Sequence, residues 1–235
     1  MSEWKPKRFW TGSAVVATDG GYTIELDGRR VRTPAKAALI LPTRAMAEAV
    51  AREWDAQEKE IDPATMPFTR SANAAIDKVQ HQHAEVADML SDYGDSDLLC
   101  YRATHPEALI ERQRHEWDPA LDWAAETLGA RLIPVEGVRH QPQAPEVLDR
   151  LRRQVHDLDA FRLAAFHDLV SLSGSLILGF AAAQNWRKPD EIWRISRLDE
   201  SWQAEQWGDD DEAVQAAELK KIAFLHAKTF YDLSV

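Results

Sequence analysis

The chain has 235 residues, 45% of them hydrophobic, one cysteine and a net charge of −11 at pH 7, enough for one large domain or two small ones around a conventional core. The lone Cys100 excludes an internal disulfide framework, and the acidic balance argues against nucleic acid and anionic membranes as partners. Membrane insertion is not expected either: the most apolar stretch, residues 169–183, carries three serines and is shorter than the about 18 residues of a span.

The start MSEWKPKRFW lacks the apolar run of a signal peptide and the composition of a transit peptide, which points to a cytoplasmic protein. Residues 1–36 carry a net charge of +3, leaving −14 for the remainder, so the two parts can face different partners. Strand-like alternation follows, with Tyr22, Ile24 and Leu26 on one face, then Asp27-Gly28, then Val31 and Thr33. Asp-Gly tolerates the positive φ angles of a two-residue hairpin turn, and Asp19-Gly20-Gly21 supplies an earlier turn after residues 14–17. Pro42-Thr43 starts a helix whose apolar stripe is Met46, Val50 and Trp54 and which ends near Glu60, where Ile61-Asp62-Pro63 and Met66-Pro67 break it.

Helical patterns dominate thereafter, over residues 71–93, 106–128, 145–158, 160–183, 190–207 and 211–231. Segments 97–101 and 131–135 read as extended, either of them able to return and pair with the N-terminal sheet. The expected fold class is α+β: a small antiparallel β-rich domain with one helix over residues 1–75, then a mainly α-helical domain over 76–235, the boundary falling within about residues 67–80.

Phosphate loops, dinucleotide fingerprints and paired zinc ligands are missing from the sequence, so no cofactor and no metal are expected. His81 and His83 would point about 200° apart on a helix, which favours solvated side chains over a metal site. Ser173-Gly174-Ser175 lacks the strand-to-helix elbow of a nucleophilic serine; Gly174, Ser175 and Gly179 read instead as small residues that let a neighbouring helix approach. Cys100, between Leu99 and Tyr101, reads as a buried small hydrophobe. Most of the nine tryptophans should be core, with Trp117 and Trp123 sealing a helix start around Asp118-Pro119; an exposed subset would mark a binding surface.

Residues 199–212, DESWQAEQWGDDDE, hold seven acids, no bases and two tryptophans. On one continuous helix Trp193, Glu200 and Trp207 share a stripe with Ser196 and Gln203, while Ile195, Leu198 and Trp202 form an apolar face. A carboxylate in such aromatic surroundings can pair with a partner's Arg or Lys, can be held internally by Arg29, Arg30 or Arg32, or can act as a general acid or base. After Gly208, the acids 209–212 read as the cap of the next helix.

These residues, together with GYTIELDGRRVRTPAK at 21–36, MPFTR at 66–70, SDLLCYR at 96–102, WDPALDW at 117–123 and LDESWQAEQWG at 198–208, resemble the assembly chaperone family of F-type ATP synthase, and within it the branch that escorts the α subunit. The resemblance implies a monomeric, non-catalytic chaperone that binds unassembled α subunit and prevents its aggregation until the β subunit replaces it. It also implies that a functionally sensitive acid lies in the last motif, at Glu200 with Asp199 and Glu205 as neighbours; Trp193, Gln203 and Trp207, which share the stripe of Glu200, are expected to contribute to the same partner surface. The missing presequence implies a bacterial cytoplasmic form, whereas eukaryotic relatives work in the mitochondrial matrix. The alternatives are a small hydrolase using Glu200 and a permanent structural subunit of the synthase.

Overall fold

The computed structural model of the chain describes residues 7–208 and 210–235; Asp209 and most of the N-terminal segment read as leaderless lie outside them. The elements in order are β1 (Ser13–Thr18), β2 (Gly21–Leu26), β3 (Arg29–Arg30), α1 (Arg44–Asp55), α2 (Pro67–Ala74), α3 (His83–Ser91), β4 (Tyr101–Arg102), α4 (Glu107–Trp123), β5 (Val135–Glu136), α5 (Pro145–His156), α6 (Ala160–Ser173), α7 (Leu176–Ala183), α8 (Pro189–Ser196), α9 (Leu198–Trp207) and α10 (Asp211–Leu233). The fold is α+β, a small antiparallel sheet followed by helices. The chain divides into two compact units: residues 1–83 with Asp159–Ala165 and Thr229–Val235, and the remainder.

In the first unit the expected hairpins form, β1 pairing with β2 and β2 with β3, and Asp27 and Gly28 adopt φ of 47° and 81° at the tip. The Asp27 carboxylate also accepts from the amides of Thr11 and Gly12 at 2.8 and 3.2 Å, bonds that hold its pKa below the usual value. The third strand is shorter than the alternation through Thr33 predicts. A turn at Lys36, whose N–H bonds to Thr33 O, sends the chain back so that Leu41 bridges to Tyr22 instead. Gly21 is required there: at φ +151° a Cβ would lie 2.2 Å from the Leu41 carbonyl oxygen.

Thr43 caps α1 as expected, its Oγ1 accepting from Met46 N at 3.1 Å, and Met46 and Val50 are fully buried. The helix stops at Asp55 rather than near Glu60, because the buried Gln57 takes over the chain: its amide donates to Glu53 O and accepts from Asp62 N. Glu53 carries the MPFTR motif, its carboxylate accepting from Phe68 N, Thr69 N and Thr69 Oγ1 at 2.6–2.7 Å and so satisfying the first amides of α2. Trp10, Ile24, Leu26, Leu39, Leu41, Met46, Val50 and Phe230 form this unit's core.

In the second unit, β4 and β5 pair with each other in parallel as a separate two-stranded sheet, not with the N-terminal sheet as the extended segments allowed. Most of the 97–101 segment is a 3-10 turn instead, because Asp97 folds it: its Oδ1 accepts from Leu99 N and its Oδ2 from Ile177 N, both at 3.0 Å. Asp97 is fully buried, and burial pushes its pKa up to about 6 against the lowering effect of these bonds. Cys100 is buried as expected, its thiol pushed up to about 12 by burial first and by the Asp97 charge second.

The apolar run 160–183 is two helices rather than one. Gly174 adopts φ +72° and ends α6, while Ser175 caps α7 by accepting from Leu178 N at 3.0 Å. Gly174 and Ser175 are therefore a helix stop and a helix start. Gly179 does admit a close neighbour, since a Cβ there would stand 2.6 Å from Val170 Cγ2. Trp117 and Trp123 do not seal a helix start: α4 continues through Pro119, with Trp117 wholly buried. No helix among the described residues is long and apolar enough to cross a membrane.

Candidate functional site

The segment 190–207 is also two helices, and the join decides where its side chains go. The buried Trp117 indole donates to Ile195 O at 3.0 Å, taking the carbonyl that a continuous helix would offer to Asp199 N. The chain turns at Arg197 (φ −104°, ψ 17°), and α9 starts with Ser201 N bonding to Arg197 O. The single stripe expected from Trp193 through Glu200 to Trp207 is thereby broken. Trp193, on α8, is 6% exposed and packs on Phe224 at 5.6 Å; Trp207, on α9, is 80% exposed and is the one exposed tryptophan among the described residues.

The two adjacent acids part ways. Glu200 bonds to Arg197 at 2.6 Å, and the Arg197 guanidinium lies over the Trp193 ring at 5.8 Å. Of the arginines considered for Glu200, Arg30 pairs with Glu25 and Arg32 donates to Lys36 O. Glu200 faces a cleft with Ser201, Ala204, Val214 and Ala217. Asp199 instead faces an open groove of about 610 Å³, bounded on one side by the extended segment 101–106 and on the other by Trp202, Gln203 and Trp207 of α9. Asp199 Oδ1 accepts from Gln113 Nε2 at 2.8 Å, and Gln113 Oε1 accepts from Ala103 N at 2.8 Å, so this 2% exposed amide joins both walls. Burial raises the Asp199 pKa; Gln113 lowers it in part, Glu200 adds to the rise, and Arg102 opposes it.

Arg102, which lines the groove, and Arg112, which lies over Trp202 from a neighbouring pocket, are both already engaged. Arg102 Nη2 lies 2.7 Å from Asp118 Oδ1, and its guanidinium covers the Trp117 ring at 5.4 Å. Arg112 donates to both Glu205 oxygens at 2.8 and 2.9 Å and covers Trp202 at 5.1 Å. The loop carrying the 95% exposed Val138 is fastened by Gly137 N to Arg102 O, and by His140 between Tyr101 Oη and Asp95, each at 3.2 Å. At the far end Gly208 (φ +92°) terminates α9, and Asp210 caps α10 by accepting from Glu212 N at 3.1 Å, as the acidic run implied.

Asp199, Gln203 and Trp207 thus share one groove, Glu205 pairs with Arg112 in a separate pocket, Glu200 turns to another cleft, and Trp193 belongs to the core. Sequence reasoning missed Gln113 and Arg112. For Gln113 a signal existed: it stands four residues before Trp117 on the buried stripe that continues through Ala120 and Leu121.

The ATP12 chaperone protein family model matches residues 7–125, just over half of the chain. The chain belongs to the ATP12 chaperone family. This is the family of ATP synthase assembly chaperones to which the separated motifs pointed. Among solved structures, Atp12 from Paracoccus denitrificans is 48% identical with a TM-score of 0.97, over 99% of this chain and 100% of that one. An aspartate-to-lysine mutant of the same protein matches equally, over the whole of both chains. A protein from Agrobacterium tumefaciens is 42% identical with a TM-score of 0.91, over 97% of this chain and 85% of that one. The mitochondrial protein atp12 of Schizosaccharomyces pombe is 26% identical over 220 residues, which are 88% of this chain and 75% of the relative.

Proposed function

We propose that this ATP12 chaperone is a non-catalytic, monomeric protein of the bacterial cytoplasm that binds the unassembled α subunit of F-type ATP synthase and prevents its aggregation until the β subunit takes its place. Membership of the family supports the assembly role. The observation that carries a binding role for this face is α9, a ten-residue helix that buries only Leu198 and whose exposed Trp207 lines the same groove as the half-buried Asp199. An orphan subunit displays apolar surface that must be shielded before assembly, and an exposed indole beside a carboxylate suits such a contact. Asp199, Gln203 and Trp207 form the contact, with Glu205 holding the wall and Glu200 at its border. Trp193 supports it from the core.

Separately expressed α and β subunits provide the test. Immobilised chaperone should retain α but not β, should keep α soluble, and should release it when β is added. Retention of β alone, of both equally, or of neither overturns the assignment.

A further inference from the structure

We infer that the Asp199 groove recognises an arginine side chain of the client, the guanidinium bonding to Asp199 Oδ2 and stacking against the indoles of Trp202 and Trp207. The inference deepens the client-binding reading above and rests on it. Four observations converge. Asp199 Oδ1 is committed to Gln113, an amide that is 2% exposed and has its own carbonyl committed to Ala103 N, so the carboxylate cannot swing away to find another partner. No donor is placed on Oδ2 among the described residues, and that oxygen is not shut off from solvent.

Asp199 also has no ion-pair partner among the described residues, the field of Arg102 reaching it only from a distance. Arg102 is neutralised by Asp118 and Arg112 by Glu205, while Glu200, next in sequence, pairs with Arg197. An apolar occupant covering this groove would strand a carboxylate with neither water nor cation, whereas a cation satisfies it. Finally, the aromatic wall discriminates between cations. A guanidinium is flat, stacks on an indole and presents a fork of N–H donors to a carboxylate, which an ammonium cannot do. The chain shows the stacking at this wall, where Arg112 covers Trp202 at 5.1 Å while its Nη1 donates to both oxygens of Glu205, and it shows the fork at Arg194, whose Nη1 and Nη2 donate to the two oxygens of Glu116 at 2.9 and 3.0 Å.

The test uses the full chain with N-acetyl-arginine N-methylamide as probe and its citrulline and lysine counterparts as controls, followed through the indole N–H resonances. Trp202→Phe and Trp207→Phe assign the two signals. The arginine compound should move both, and the uncharged citrulline compound, nearly the same in shape, should move neither. Asp199→Asn should weaken arginine binding about tenfold, the loss of one charge-assisted bond. Equal response to citrulline, tighter binding of the lysine compound, no response at all, or an Asp199→Asn variant that is folded and binds normally each overturns the inference. Should that variant fail to fold, the comparison of compounds on the unsubstituted chain decides alone. None of the probes contains the α subunit, so failure to retain that subunit with arginine binding intact would count against the client assignment only.

Discussion

Two carboxylates of the second unit, Asp97 and Asp199, are both pushed upward in pKa by burial, yet they are built for different ends. Asp97 is completely enclosed, and backbone amides take both of its oxygens, one from its own turn and one from the start of α7. It substitutes for water at the start of a 3-10 turn and at the start of α7, and both of its oxygens are spent there. Asp199 is held through one oxygen by a side-chain amide and leaves the other in a groove walled by aromatic surface. A buried acid is an anchor when its lone pairs are spent inside the molecule, and a candidate recognition group when one is kept back.

The largest effect that would sharpen this contrast is expected at Asp97. In Asp97→Asn only one oxygen remains for the two amides, and the fold should lose about 1–3 kcal/mol in chemical denaturation. The pH dependence has a definite sign. With a folded pKa of about 6 against about 3.9 in the unfolded chain, the native state takes up a proton first as pH falls, so this group's contribution to stability rises from pH 7 towards pH 4. The stability difference between the unsubstituted chain and Asp97→Asn should therefore widen on acidification, by a rise on the order of 2–3 kcal/mol. A difference that is flat or narrows would break the comparison.

A smaller effect is expected at Asp199. Asn keeps the acceptor for Gln113 while removing a partly buried charge, so stability at pH 7 should change by less than about 1 kcal/mol while α-subunit retention falls. Equal losses of stability at positions 97 and 199 would mean that both are anchors. The smallest change in stability should come from Glu200→Gln. Its bond to Arg197 is an exposed pair at i,i+3, worth less than about 1 kcal/mol, so the melting temperature should barely move. Client retention that falls further in Glu200→Gln than in Asp199→Asn would shift the recognition group to Glu200.

Legibility in the sequence followed the range of the forces involved. The Asp27-Gly28 hairpin, the Thr43 cap, the stop at Gly208 and the buried Cys100 depend on neighbours within a few residues, and all were readable. The join between α8 and α9 was not, because neither Pro nor Gly marks it. It is made by Trp117, 78 positions before the carbonyl that it captures. That one bond separates Trp193 from Trp207, so the aromatic stripe drawn on a continuous helix combined a core residue with a surface residue. The pairing of β4 with β5 was hidden for a different reason: two-residue strands carry almost no periodic signal. At Gly174 the signal was present, but the apolar run on either side outweighed it.

The buried ring of Phe230 stacks with Phe68 and Phe161 at 6.4 and 6.3 Å inside the first unit, and Thr43 Oγ1 bonds to Leu233 O. The β-sheet unit, although begun first, cannot close its core until translation has reached those late residues. At about 5–20 residues per second, the roughly 150 positions between the end of the unit's first segment and Phe230 leave that apolar surface open for roughly 7–30 s. A member of a chaperone family thus itself passes through such an interval during each round of its own synthesis.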